Sequence, residues 1–71
     1  MRIYNELIYT NSYFSGIGKS FSTRKKAVEH LRQLRKELGD SVTAYNEEFL
    51  YILYRANGNR MEIDIEGNGL Q

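Results

Sequence analysis

Glu62, Asp64 and Glu66 occupy alternate positions, so an extended chain projects all three carboxylates from one face. Such a row offers oxygen ligands to a divalent cation, or negative charge to a basic partner. Successive members stand about 6.5–7 Å apart, too far to chelate one ion unaided. The row therefore reads as a solvated or cross-strand-paired acidic face, and no metal is expected. Lys19, Arg24, Lys25 and Lys26 crowd one short stretch, with Arg32, Arg35 and Lys36 further on. Basic residues so grouped are either a solvated face or a patch for phosphate. Gly16-Ile17-Gly18-Lys19-Ser20 has the outline of a phosphate cradle. A P-loop, however, places a further glycine where this chain has Tyr13, and the segment reads as a flexible loop leading into a helix. His30 is the one histidine, with no nucleophile to activate, and it reads as structural or exposed. No triad or close carboxylate pair can be assembled. The expectation is a non-enzyme with no cofactor.

Composition narrows the setting. With 71 residues, 41% hydrophobic and 27% charged, the chain has the make-up of one small folded domain. It contains no cysteine, which excludes disulfides and thiolate chemistry and fits a reducing cytoplasm. No apolar run approaches a membrane span, and no signal-peptide core follows Met1, so no membrane partner is expected. A domain this small buries only about 60% of the surface of its unfolded chain. With disulfides and metals set aside, association becomes a natural source of further stability. Net charge is only +1, but it is divided. Residues 1–36 carry eight Lys or Arg against two acids, and residues 37–71 carry seven acids against Arg55 and Arg60.

The elements that position these groups can be read in order. Arg2 to Tyr9 is a strand whose inward face is ambiguous: Ile3 and Leu7 share one side with Asn5, and Tyr4 and Ile8 share the other with Glu6. Thr10 to Phe21 has the Asn, Ser and Gly content of a loop, with Tyr13 and Phe14 as anchors. Ala27, Leu31, Leu34 and Leu38 recur at helical spacing with Val28 beside them; Ser22 or Thr23 caps the start and Gly39 ends the helix. Three strands follow, at about Ser41 to Tyr45, Phe49 to Ala56 and Asn59 to Glu66, and Gly67 to Gln71 reads as a frayed tail. Asn57-Gly58 is the preferred pair for a type I′ turn, and the register it imposes sets Tyr54 opposite Met61, Ile52 opposite Ile63 and Leu50 opposite Ile65. All six are then on one face, ready for the helix. A three-residue loop at Asn46-Glu47-Glu48 turns Val42 and Ala44 inward and Thr43 and Tyr45 outward, whereas a two-residue loop reverses them. The reading is an α+β domain over residues 1–66, in the order β-α-β-β-β, with one helix on a mostly antiparallel four-stranded sheet. Where the first strand sits in that sheet is open.

One helix cannot cover both sheet faces. The second face carries Phe49, Tyr51 and Leu53 opposite Glu66, Asp64 and Glu62, with Tyr45 added if the longer loop forms. Aromatic sheet faces stack RNA bases in some domains, but the carboxylates here repel phosphate. Aromatic anchors with a charged rim suit a protein–protein interface, with Tyr45, Phe49, Tyr51, Leu53, Glu62, Asp64 and Glu66 as the binding set. The competing outcome is that the first strand or the Tyr13–Phe14 region folds over this face. Two other functions remain open: nucleic-acid binding through Lys19, Arg24, Lys25, Lys26 and Arg32, and a homodimer joined through the aromatic face.

The order of strand, loop, a helix entered through Phe21-Ser22-Thr23-Arg24-Lys25-Lys26-Ala27-Val28, and a tyrosine-rich meander resembles small phage-encoded accessory proteins. Some anti-CRISPR proteins, built as one helix on an antiparallel sheet, are among them. The resemblance covers architecture over most of the chain, and no functional residue carries over from it. It implies a compact inhibitor in the bacterial cytoplasm that occludes a binding surface of a host protein or complex, such as a defence or nucleic-acid machine.

Overall fold

A computed structural model describes residues 2–69. The chain runs β1 (Arg2–Thr10), β2 (Tyr13–Phe21), α1 (Arg24–Leu38), a 3₁₀ turn (Gly39–Ser41), β3 (Val42–Asn46), β4 (Tyr51–Ala56) and β5 (Asn59–Gly69). It is an α+β domain in which one helix covers one face of a five-stranded antiparallel sheet, ordered β2-β1-β5-β4-β3.

The fifth strand corrects the sequence reading. Residues 10–21, expected as a loop, supply β2, which forms a hairpin with β1 through Asn11 and Ser12, both at positive φ (50° and 73°). That is type I′ geometry made without the glycine that usually announces it. Asn11 is tied down: its N–H donates to the Arg60 carbonyl at 2.7 Å, and its Oδ1 accepts from the Arg60 N–H at 2.9 Å. The phosphate-cradle outline is likewise strand. Gly16 sits at a register shift, and Gly18 and Lys19 together oppose Glu6 in a bulge. A Cβ on Gly18 would collide with Glu6 Oε1, which explains the glycine without any ligand.

The first strand lies between β2 and β5, the last strand. β5 runs three residues past the expected end, with Gly67, Asn68 and Gly69 opposite Tyr4, Ile3 and Arg2. The nine-residue β1 supplies hydrogen-bond partners along that length, so residues 67–69 of the expected tail are strand; residues 70 and 71 lie outside the described residues.

The helix and the β4–β5 hairpin follow the sequence closely. Thr23 is the N-cap, its hydroxyl accepting from the Lys26 N–H at 3.1 Å, and Gly39 at φ 54° donates its N–H to the Arg35 carbonyl. Asn57 and Gly58 at φ 53° and 80° make the turn, and Tyr54, Ile52 and Leu53 meet Met61, Ile63 and Glu62 as the turn requires. Ala27, Leu31, Leu50, Ile52, Ile63 and Ile65 form the buried core. Tyr4, Ile8, Phe21, Val28, Leu34, Leu38, Val42, Tyr45 and Tyr54 pack around it. Each fully buried Leu or Ile contributes about 1.5–3 kcal/mol.

β3 departs from both loop alternatives. A register shift at Thr43 lets Val42 pair with Tyr54 and Tyr45 with Ile52, so both turn inward, while Ala44 opposite Leu53 turns outward. One extra residue changes the face of everything after it, so a loop-length argument without the bulge misassigns Tyr45. The connection is also longer than expected: β4 starts at Tyr51, and Phe49 is a turn residue whose N–H bonds to Asn46 Oδ1 at 2.9 Å. Leu50, at φ 56°, still faces the core, and its carbonyl accepts from the Ile65 N–H at 2.8 Å.

Candidate protein-docking face

The face opposite α1 is built by alternation. Ladder pairing sets Ile17, Leu7, Asp64, Tyr51 and Asn46 in one rank across the five strands, and Phe14, Tyr9, Glu62, Leu53 and Ala44 in the next. Glu66, beside Asn5 and Ser20, begins a third. The carboxylate row therefore runs down the central strand with apolar side chains on both flanks. All strands belong to the one sheet, so β1 and β2 extend this face instead of folding over it. Phe14, Ile17 and Phe49 are 57%, 65% and 70% exposed.

A shallow groove of about 390 Å³ is lined by Phe49, Tyr51, Leu53, Glu62, Asp64, Ile65 and Glu66. Apart from Ile65, these are the residues expected on this face from sequence, with one missing. Tyr45 belongs to the other face: its hydroxyl donates to Glu47 Oε2 at 2.7 Å, and the Arg35 guanidinium lies 4.6 Å from its ring centre. Sequence reasoning missed Leu7, Tyr9, Phe14 and Ile17. The signal was present in Leu7-x-Tyr9, but it was uninterpretable until β1 had a place in the sheet.

Asp64 carries the electrostatic mark of this face. Its carboxyl is raised from 3.8 to about 7, first by burial between its cross-strand neighbours Leu7 and Tyr51, then by hydrogen bonding with Glu62 and the charges of Glu62 and Glu66. Three carboxylates on one apolar face repel one another, and a partner cation would relieve that repulsion. Among the described residues no group of three or more Asp, Glu or His is arranged to hold a metal ion, and no helix is long and apolar enough to cross a membrane.

Of the basic residues read as a nucleic-acid alternative, the two arginines are engaged by the chain's own β3–β4 turn. Arg24 donates to the Glu47 and Glu48 carbonyls at 3.0 and 2.9 Å, and Arg32 grips the Glu47 carboxylate with two bonds of 2.9 Å. Lys26 Nζ donates to Ser22 Oγ at 3.3 Å, Lys25 is exposed on the first helical turn, and Lys19 lies on the edge strand β2. The basic and acidic halves of the chain thus meet at the β3–β4 turn. Hydrogen bonds from Arg32 and Tyr45 hold the Glu47 carboxyl down at about 2, while Tyr45 is pushed up to about 12 by burial and by its bond to Glu47. Arg32, Arg35, Lys36, Thr43, Tyr45 and Glu47 line an open groove of about 930 Å³ on this side. Arg35 and Lys36 occupy the last helical turn, where the macrodipole already favours cations.

Glu6 was also missed as a structural acid. It is 6% exposed beneath the helix; Oε2 lies 2.6 Å from His30 Nε2, and Oε1 accepts from the Lys19 N–H at 3.2 Å. His30 packs 5.0 Å from the Phe21 ring, in line with a structural role. The clue was a carboxylate between Tyr4 and Ile8 on one strand face, which demands a buried partner.

Comparison of the chain with protein-family models, curated protein sequences and solved structures gave no match.

Proposed function

We propose that this chain is a small, non-enzymatic protein-binding module whose outer sheet face docks on a basic surface of another protein. The observation that carries the reading is the face itself: a central carboxylate row with apolar side chains on both sides, left uncovered by the fold. Tyr51, Leu53 and Phe49 supply contact area, and Glu62, Asp64 and Glu66 supply charge that selects a basic partner and repels nucleic acid. A basic surface of that kind commonly holds nucleic acid, so the module acts as an occluder.

The test is capture on immobilised protein from nuclease-treated lysate, comparing the wild type with Tyr51→Ser and with Lys25→Glu. The proposal expects a stoichiometric protein partner that survives nuclease, is lost with Tyr51→Ser and is kept with Lys25→Glu. Partners that vanish with nuclease and with Lys25→Glu overturn it in favour of nucleic-acid binding through the helix entry. A wild-type dimer in solution that Tyr51→Ser dissociates would instead assign the face to self-association.

A further inference from the structure

The outer face specifies the shape of its partner as well as its charge. β5 is bonded to β1 on one side and β4 on the other, so its backbone can accept no added strand, and the face offers side chains alone. Strands stand about 4.8 Å apart, which separates the Leu7–Tyr9 flank from the Tyr51–Leu53 flank by about 10 Å. That is close to the width of one α-helix with its side chains. Along β5 the carboxylates recur about every 6.7 Å, while residues i and i+4 of a helix rise about 6.0 Å. Over three positions the mismatch is about 1.4 Å, within the reach of flexible Arg and Lys side chains.

We infer that the outer face seats one basic amphipathic helix of a partner protein, laid along β5 with cations at i, i+4 and i+8 on Glu62, Asp64 and Glu66. Apolar residues at i+1 and i+5 lie against one flank, and those at i+3 and i+7 against the other. The inference rests on the docking role proposed above and adds the partner's secondary structure and register. Docking turns a two-layer domain into helix–sheet–helix, the usual way of burying both faces of a sheet.

The chain's own helix does not fit this seat, which argues against a second copy as occupant. The row Lys25, Glu29, Gln33, Glu37 carries two acids, and in the row Lys26, His30, Leu34, Leu38 the histidine is bonded to Glu6 and both leucines pack against the core. In the row Arg24, Val28, Arg32, Lys36, both arginines are held by the Glu47–Glu48 turn.

The test uses two helix-forming peptides of identical composition. One carries arginines at i, i+4 and i+8 flanked by leucines; the other has the same residues with the arginines distributed around the helix. Binding is read by fluorescence anisotropy at physiological salt, and the site by amide shift mapping. The ordered peptide is expected to bind at least about tenfold more tightly than the scrambled one. Its shifts should centre on Leu7, Tyr9, Tyr51, Leu53 and Asp64, and the preference should disappear in Glu62→Lys, whose side chain is on the solvent side and whose fold is checked by circular dichroism. Equal binding by both peptides overturns the helical register while leaving the docking face in place. Failure of both peptides to bind also overturns it, and the Tyr51→Ser capture experiment then decides separately whether the face docks anything. A dimer dissociated by Tyr51→Ser would give the seat to a second copy and likewise overturn the inference.

Discussion

Replacing Asp64 by asparagine tests whether the carboxylate row is held at an energetic cost. The folded chain holds the Asp64 proton up to about 7 against an ordinary 3.8, which at 1.36 kcal/mol per tenfold is about 4 kcal/mol before screening. Asp64 is only half-buried, so water reaching it lessens the burial penalty and salt screens the smaller repulsion from Glu62 and Glu66, and about 1–2 kcal/mol remains. The folded state binds this proton more tightly than the unfolded state. Stability is therefore full below about pH 4, falls as pH rises toward 7, and stays reduced above it. The uncharged amide of the variant escapes the loss. Thermal unfolding of both proteins from pH 4 to pH 8 should show nearly equal midpoints at the acid end, with Asp64→Asn pulling ahead by about 5–10 °C at pH 8. Added salt should narrow the gap. Parallel curves across the range, or a variant less stable than wild type at pH 8, would refute the reasoning, because the carboxylate would then ionise without penalty.

Three further substitutions probe the rest of the fold. Gly18→Ala drives a methyl into Glu6 and should cost about 2–3 kcal/mol in urea unfolding, whereas Gly18→Ala with Glu6→Ala should recover part of that loss. His30→Ala leaves the buried Glu6 carboxylate with only the Lys19 N–H, and a loss of about 2–4 kcal/mol is expected, larger than that of Glu6→Leu and His30→Leu together. Glu47→Gln should be less stable than wild type near neutrality. Because the Glu47 carboxyl is held down at about 2, the wild-type advantage is present above the usual glutamate range and lost as pH falls toward 2, so the two unfolding curves should converge there.

How far the sequence disclosed this molecule depended on whether the information was local. α1 was legible because a cap, a helical apolar stripe and a terminal glycine agree within one short segment, Thr23 to Gly39. The β4–β5 register was legible because Asn57-Gly58 fixes it on the spot. β2 was not: Asn11-Ser12 lacks the usual glycine, and Gly16 and Gly18 look like loop residues until the two register shifts, one beside Gly16 and one at Glu6, are seen. Tyr45 was assigned to the wrong face because the Thr43 bulge leaves no mark on composition. At the candidate site, the β4 and β5 contributions followed from one turn. The Leu7, Tyr9, Phe14 and Ile17 flank required knowing that β1 lies beside β5, its partner from the far end of the chain.

That pairing has a consequence during synthesis. A ribosome delivers the chain from its first residue, so β1 and β2 emerge long before β5, the strand that joins their hairpin to the rest of the sheet. A two-stranded ribbon is marginal in water by itself, and until β5 arrives the inner edge of β1 remains an unpaired template. Commitment to the native topology therefore comes late, when one segment closes both halves at once. Contacts so distant along the chain slow that closure, and a nascent chain stalled before β5 exposes both an open edge and an uncovered core to its neighbours.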